Sequence, residues 1–214
     1  MHKKIKICGV KDPKVISACN DIGIDFVGFN FTNKSPRKIT SNFVYENDLL
    51  KFSDKTERVA VFVDPSDKHI YDCIRSIDAT YIPLHGNEST ERCSYIKNKF
   101  DLPIIKAFGI KNKKDLESAL FYEGVVDYFL FDAKQENAGG QKGGLNKVFD
   151  WKILQEWKGK EFFLAGGINI NNIKLAMMST NAFCIDISSG VETMLGVKDT
   201  NMIKEIYREF KTLE

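Results

Sequence analysis

One thiol, one carboxylate and two glycine-rich turns stand where proton transfer on an anionic substrate would need them. The thiol is Cys8, which closes the apolar run IKIC just before Gly9 and the Lys11-Asp12-Pro13 break. A free cysteine taken alone is a small hydrophobe placed for packing. What singles this one out is its position at the end of a strand-like run, facing a loop. The carboxylate is Asp132, at the end of YFLFD. A lone aspartate ordinarily caps a helix or pairs with a cation, so its strand-end position again makes it a candidate. A thiolate that removes a proton and a carboxylic acid that adds one form a general acid–base pair. The cysteine needs a lowered pKa for that work, and Lys6 or the dipoles of an anion site are the local sources.

The anion site is legible in two later stretches. LAGGI (Leu164–Ile168) carries Gly166 and Gly167, and DISSGVE (Asp186–Glu192) carries Asp186, Ser188, Ser189 and Gly190. Gly166-Gly167 and Ser189-Gly190 each read alone as a turn. Together, at two successive strand ends, they let backbone N–H groups approach a phosphate. Arg37, in SPRKI, offers a fork for a carboxylate, with a surface arginine as the alternative. His85 is the one histidine at a predicted strand end, a candidate for the site or for a structural role; His2 and His69 look peripheral. Ala138–Lys147 (AGGQKGGLNK) does not match a Walker motif and reads as a lid. The five cysteines include no CxxC pair and no histidines at ligand spacing, so no metal site is expected.

Eight short apolar runs must position these groups: Lys4–Cys8, Phe26–Phe31, Arg58–Val63, Tyr81–Leu84, Pro103–Phe108, Tyr128–Asp132, Glu161–Ala165 and Phe183–Ile187. Most lack period-two alternation, as expected of parallel strands covered on both faces. Helical patterns lie between them at Pro13–Ile22, Lys68–Ile77, Ser89–Lys99, Lys113–Phe121, Trp151–Trp157, Asn172–Met178 and Asn201–Lys211; only Asn42–Phe52 is indistinct. This is the rhythm of an α/β (β/α)8 TIM barrel, with residues 1–214 as a single domain. A doubly wound sheet competes, but it would carry fewer strands and, for a dinucleotide, a GxGxxG that is absent. In a barrel, strand C-termini hold the chemistry. Strands one and six then face each other across the mouth, bringing Cys8 and Asp132 to opposite sides of a substrate.

With 43% hydrophobic and 28% charged residues, the 214-residue chain has ordinary globular composition. A formal charge of +2, with lysines scattered, argues against a nucleic-acid or membrane partner. No apolar run approaches the ~20 residues of a membrane span. The odd cysteine count and an N-terminus without a signal-like region fit a reduced, cytoplasmic setting.

KIKICGVKD, SPRKI, VAVFVDPS, PLHGNES, IIKAFGI, LFDAK, LAGGINI and IDISSGVET with GVKD occur in an order that resembles the phosphoribosylanthranilate isomerase family, from Lys3 to about Phe210. The resemblance implies a cofactor-free barrel enzyme of tryptophan biosynthesis. Its reaction is the Amadori rearrangement of N-(5-phosphoribosyl)anthranilate to 1-(2-carboxyphenylamino)-1-deoxyribulose 5-phosphate. By motif, Cys8 is the base at sugar C2, Asp132 the acid at the ring oxygen, and Arg37 the holder of the anthranilate carboxylate. Gly166, Gly167, Ser188, Ser189 and Gly190 surround the phosphate. The partner implied is the small phosphoribosyl substrate, with the chain a monomer or homodimer. A broader isomerase acting on an aminoimidazole ribonucleotide would need a second phosphate site, and no second Gly-Gly pair offers one; a non-catalytic phosphate-binding barrel is the remaining alternative. Two departures stand out. Pro83 replaces the family's usual glutamine, predicting a lost ladder bond in strand four, and Gly143-Gly144-Leu145-Asn146 alters the lid turn.

Overall fold

The computed structural model describes residues 2–49, 55–133 and 149–213. The predicted lid, with its altered turn, lies outside them. Eight parallel strands form one sheet: β1 (Lys4–Cys8), β2 (Phe26–Asn30), β3 (Glu57–Val61), β4 (Ile82–Leu84), β5 (Ile104–Ile110), β6 (Tyr128–Ala133), β7 (Phe162–Leu164) and β8 (Cys184–Ile187). The order β3-β2-β1-β8-β7-β6-β5-β4 puts β3 and β4 at the two edges. Parallel bridges Val59↔Tyr81 and Phe62↔Leu84 join those edges and close the ring.

That seam is thin, and Pro83 is the reason. The Arg58 carbonyl accepts from Thr80 and Tyr81, and the Phe62 carbonyl accepts from the His85 N–H at 2.8 Å. Between them the next donor along β4 is Pro83, which has no N–H to give. The Pro83 carbonyl still accepts from Phe62, at 3.0 Å. One rung is missing, as the sequence leads one to expect, and closure survives on its neighbours.

Helices α1 (Pro13–Ile22), α2 (Ser41–Glu46), α3 (Asp67–Ile77), α4 (Thr90–Phe100), α5 (Lys113–Leu120), α6 (Ile173–Ser179) and α7 (Thr200–Lys211) follow the strands. Their ends are set by local chemistry. Asp12 accepts from the Lys14 N–H ahead of Pro13, and Gly23, at φ 90°, ends α1. Asn112 and Asp115 form a capping box on α5, and Asp199 caps α7. The stretch predicted as a helix at Trp151–Trp157 is a 3-10 turn, Trp151–Glu156, which buries Trp151 and Leu154. A feature absent from the prediction follows β8: a hairpin of β9 (Glu192–Met194) and β10 (Val197–Lys198).

Two apolar layers hold the ring. Ile5 and Ile7 on β1 belong to the outer layer beneath the helices. The neighbouring face carries Phe26, Val59, Ile105, Leu130, Phe163 and Cys184, which fill the lumen. Phe26 packs edge-on to Phe163 at 5.4 Å and to Tyr81 at 5.4 Å. Each such buried phenylalanine contributes roughly 1.5–3 kcal/mol. Above this apolar plug the lumen turns polar, and there the candidate residues gather.

Candidate active site

Register explains the gathering. Lys6 on β1 is the Cα partner of Asp186 on β8, and Cys8 is the partner of Gly28 on β2. Side chains two apart on a strand share a face, so Lys6 and Cys8 both enter the lumen. The Lys6 ammonium, with 0% exposure, lies 2.7 Å from Asp186 Oδ2. Asp186 Oδ1 is buried and has no partner among the described residues. Cys8 is half-buried at the mouth, while Cys19, Cys73, Cys93 and Cys184 are buried free thiols. Burial pushes the Cys8 thiol above its ordinary value, Lys6 and Lys198 pull it down, and Asp186 pushes it up.

Asp132 stands near the end of β6, its Oδ1 accepting from the Ala133 N–H at 2.6 Å. Burial holds its carboxyl up to about 6, with the Asp186 charge adding to the rise and the Ala133 N–H and Lys6 opposing it. A carboxyl so placed keeps its proton up to about pH 6 and can donate it. Gly166 is what lets the loop after β7 come this close. A Cβ there would stand 2.7 Å from Asp132 Oδ1 and 2.7 Å from the Ala133 nitrogen, and φ is +94°.

His85 follows β4, and its Nε2 is buried without a partner among the described residues. Burial, reinforced by the Lys6 and Lys106 cations, lowers its pKa to about 3, so the imidazole is neutral. It is not the satisfied structural histidine that the sequence left open. His69 is the structural one: its Nε2 lies 3.1 Å from the Phe31 carbonyl and its ring packs on Phe62. Asp64, just past β3, is spent on the fold, since its Oδ1 accepts from the Asn87 N–H.

Arg37 is 6% exposed, not a surface arginine. Its Nε and Nη2 donate to the two oxygens of Glu192, at 2.6 and 2.7 Å. Lys198 approaches the same carboxylate at 2.7 Å and also donates to the Ser188 carbonyl and hydroxyl. Ser188 Oγ donates to the Cys8 carbonyl at 3.1 Å. Burial opposes the Glu192 charge, but the bonds from Arg37 and Lys198 bring its pKa down to about 2. Glu192 and Lys198 carried no role in the sequence reading. The stretches ISSGVE and GVKD that hold them were the available signal, but Glu192, 155 residues away from Arg37, cannot be read as its partner from spacing.

The predicted anion turns come together. Gly167, at φ 68°, has its carbonyl held by the side-chain amides of Asn169 and Asn172. Asn169 bridges Gly190 in the loop after β8. Gly166, Gly167, Ser188, Ser189 and Gly190 are all half-exposed, on one side of the mouth. No group of three or more His, Cys, Asp or Glu side chains suited to a metal occurs among the described residues.

The sequence model of the family described as N-(5'phosphoribosyl)anthranilate (PRA) isomerase matches residues 5–209. A relative from Brucella canis named N-(5'-phosphoribosyl)anthranilate isomerase is 38% identical over 209 residues, 97% of this chain and 94% of that protein. The crystal structure of phosphoribosyl anthranilate isomerase from Thermotoga maritima superposes with a TM-score of 0.86 at 31% identity, covering 99% of this chain and all of that one. A crystal structure of such an isomerase in complex with reduced 1-(o-carboxyphenylamino)-1-deoxyribulose 5-phosphate gives 0.84 at 30% identity and the same coverage.

Proposed function

The chain belongs to the N-(5'-phosphoribosyl)anthranilate isomerase family, and from that premise we propose that Cys8 and Asp132 carry its reaction within one barrel domain spanning residues 1–214. The protein is an isomerase of tryptophan biosynthesis. The single observation that supports the assignment best is that the buried carboxyl on β6 and the mouth thiol on β1 both face the Lys6–Asp186 pair.

Asp132 gives its proton to the furanose ring oxygen. The ring C–O bond breaks as the anthranilate nitrogen supplies its electron pair, and a Schiff base forms. That cation acidifies C2, and the Cys8 thiolate removes the C2 proton to give an enolamine. Tautomerisation then yields the amino ketone. The substrate's own nitrogen is the electron source and then the sink, and general acid–base catalysis by each group is typically worth ~10²–10⁴-fold. Gly166, Gly167, Ser188, Ser189 and Gly190 hold the phosphate, with Asp186 beside them in the lumen. Arg37, oriented by Glu192, turns its remaining Nη1 toward the anthranilate carboxylate. The ligand is the small phosphoribosyl substrate, no nucleic acid takes part, and the reaction runs in the cytoplasm on a monomer or homodimer.

Replacing Asp132 with Asn tests the acid. Turnover should fall ~10²–10⁴-fold, and the limb of the kcat/KM profile set near pH 6 by Asp132 should disappear. A variant that keeps that limb, or near-parent kcat, removes Asp132 from the role.

A further inference from the structure

We propose that Lys6 is the positioning residue that sets the ionisation of Cys8, with Asp186 as its counter-charge; the inference rests on reading Cys8 as the base. Lys6 and Cys8 project from β1 into the same lumen, one pleat apart. Gly28 makes room for both. A Cβ at Gly28 would stand 2.9 Å from Cys8 Sγ and 3.2 Å from Lys6 Cε, so thiol and lysine stem share the space a side chain would fill. The ammonium bonds Asp186 at 2.7 Å, and its charge favours the thiolate of Cys8 beside it.

Other charges facing the thiol are accounted for by element. Asp186, on β8, opposes ionisation. Lys198, on β10, favours it, but its ammonium is committed to Ser188 and Glu192. Arg37 packs its stem against Gly9 and directs Nε and Nη2 to Glu192. Gly28, the Cα partner of Cys8 on β2, brings no charge. Lys6 is therefore the cation whose removal leaves a thiolate with least support. Asp186 restrains it, because a lysine held by a carboxylate offers the thiol less of its charge.

The test is the pH dependence of Cys8 alkylation by iodoacetamide, followed by mass spectrometry. The thiol loses its proton to solvent, and the sulfur then displaces iodide to form a C–S bond. The other four cysteines are buried, so the reaction reads Cys8. Lys6→Met should move the midpoint of the profile to higher pH by roughly one unit or more. Asp186→Asn should move it to lower pH, and Lys198→Met should move it less than Lys6→Met. Lys6→Met leaves Asp186 buried and unpaired, which endangers folding; Asp186→Asn then reads the same coupling from the other side with the opposite sign. An unchanged midpoint in a folded Lys6→Met protein, or an upward shift in Asp186→Asn, overturns the proposal. Alkylation involves no substrate, so its outcome is separate from turnover by Cys8→Ala, which tests the base itself.

Discussion

Burial at the barrel mouth holds the Asp132 carboxyl up to about 6, whereas an unfolded chain returns it near its ordinary 3.8. Between those values the folded state binds a proton that the unfolded state does not. Stability contributed by this group is therefore present below about pH 4 and falls as pH rises through 6. A shift of about two units corresponds to roughly 3 kcal/mol at most. Asp132→Asn removes the titration while keeping an oxygen for the Ala133 N–H. The variant should gain more in Tm over the parent at pH 7.5 than at pH 4.5, by several degrees in a thermal melt. An equal gain at both pH values would mean that the carboxyl is not held above its ordinary range. The residue proposed to supply the proton thus costs the fold stability at neutral pH, as sites built for chemistry often do.

At the scale of elements, the β9–β10 hairpin shows best what position adds to residue type. Glu192 sits on its first strand, with Arg37 from the loop after β2 and Lys198 from β10 on either side. All three side chains are nearly buried, so removing the central charge leaves two cations without an anion. Glu192→Gln should destabilise the protein by about 3 kcal/mol in urea unfolding. It should also raise KM more than it lowers kcat, because Arg37 loses its orientation while Cys8 and Asp132 do not. A variant with parent stability and parent KM would show that Glu192 does not orient Arg37. The strands and most helices were legible because apolar runs, caps and glycine stops are local signals: α1 occupies the predicted Pro13–Ile22. Trp151–Glu156 was misread because two turns of 3-10 helix and a short α-helix share much the same apolar spacing. The hairpin was missed because Glu192–Lys198 is exposed along much of its length and lacks the apolar run of a core strand. Pro83 was legible as a lost donor; that the loss falls at the closing seam became visible only with the order of the strands.

For the molecule as a whole, closing the ring is what turns scattered residues into a site. Lys6 and Asp186 are 180 residues apart in the chain, and Cys8 and Ser188 likewise. Candidate types and strand ends could be read in advance, but the contacts among them depend on β1 pairing with β8. The lower lumen is filled by apolar and aromatic side chains, and the polar layer lies toward the strand C-termini. No described helix is long and apolar enough to cross a membrane. The mouth brings the candidate acid, the candidate base and the candidate anion turns together. The most direct measurement follows the loss of phosphoribosylanthranilate fluorescence, with the substrate generated in situ, for the parent protein and Cys8→Ala side by side. Rapid loss with the parent and a loss slowed at least ~10²-fold with the variant is the predicted result. Saturable binding without turnover by the parent, or equal turnover by the variant, would contradict the account.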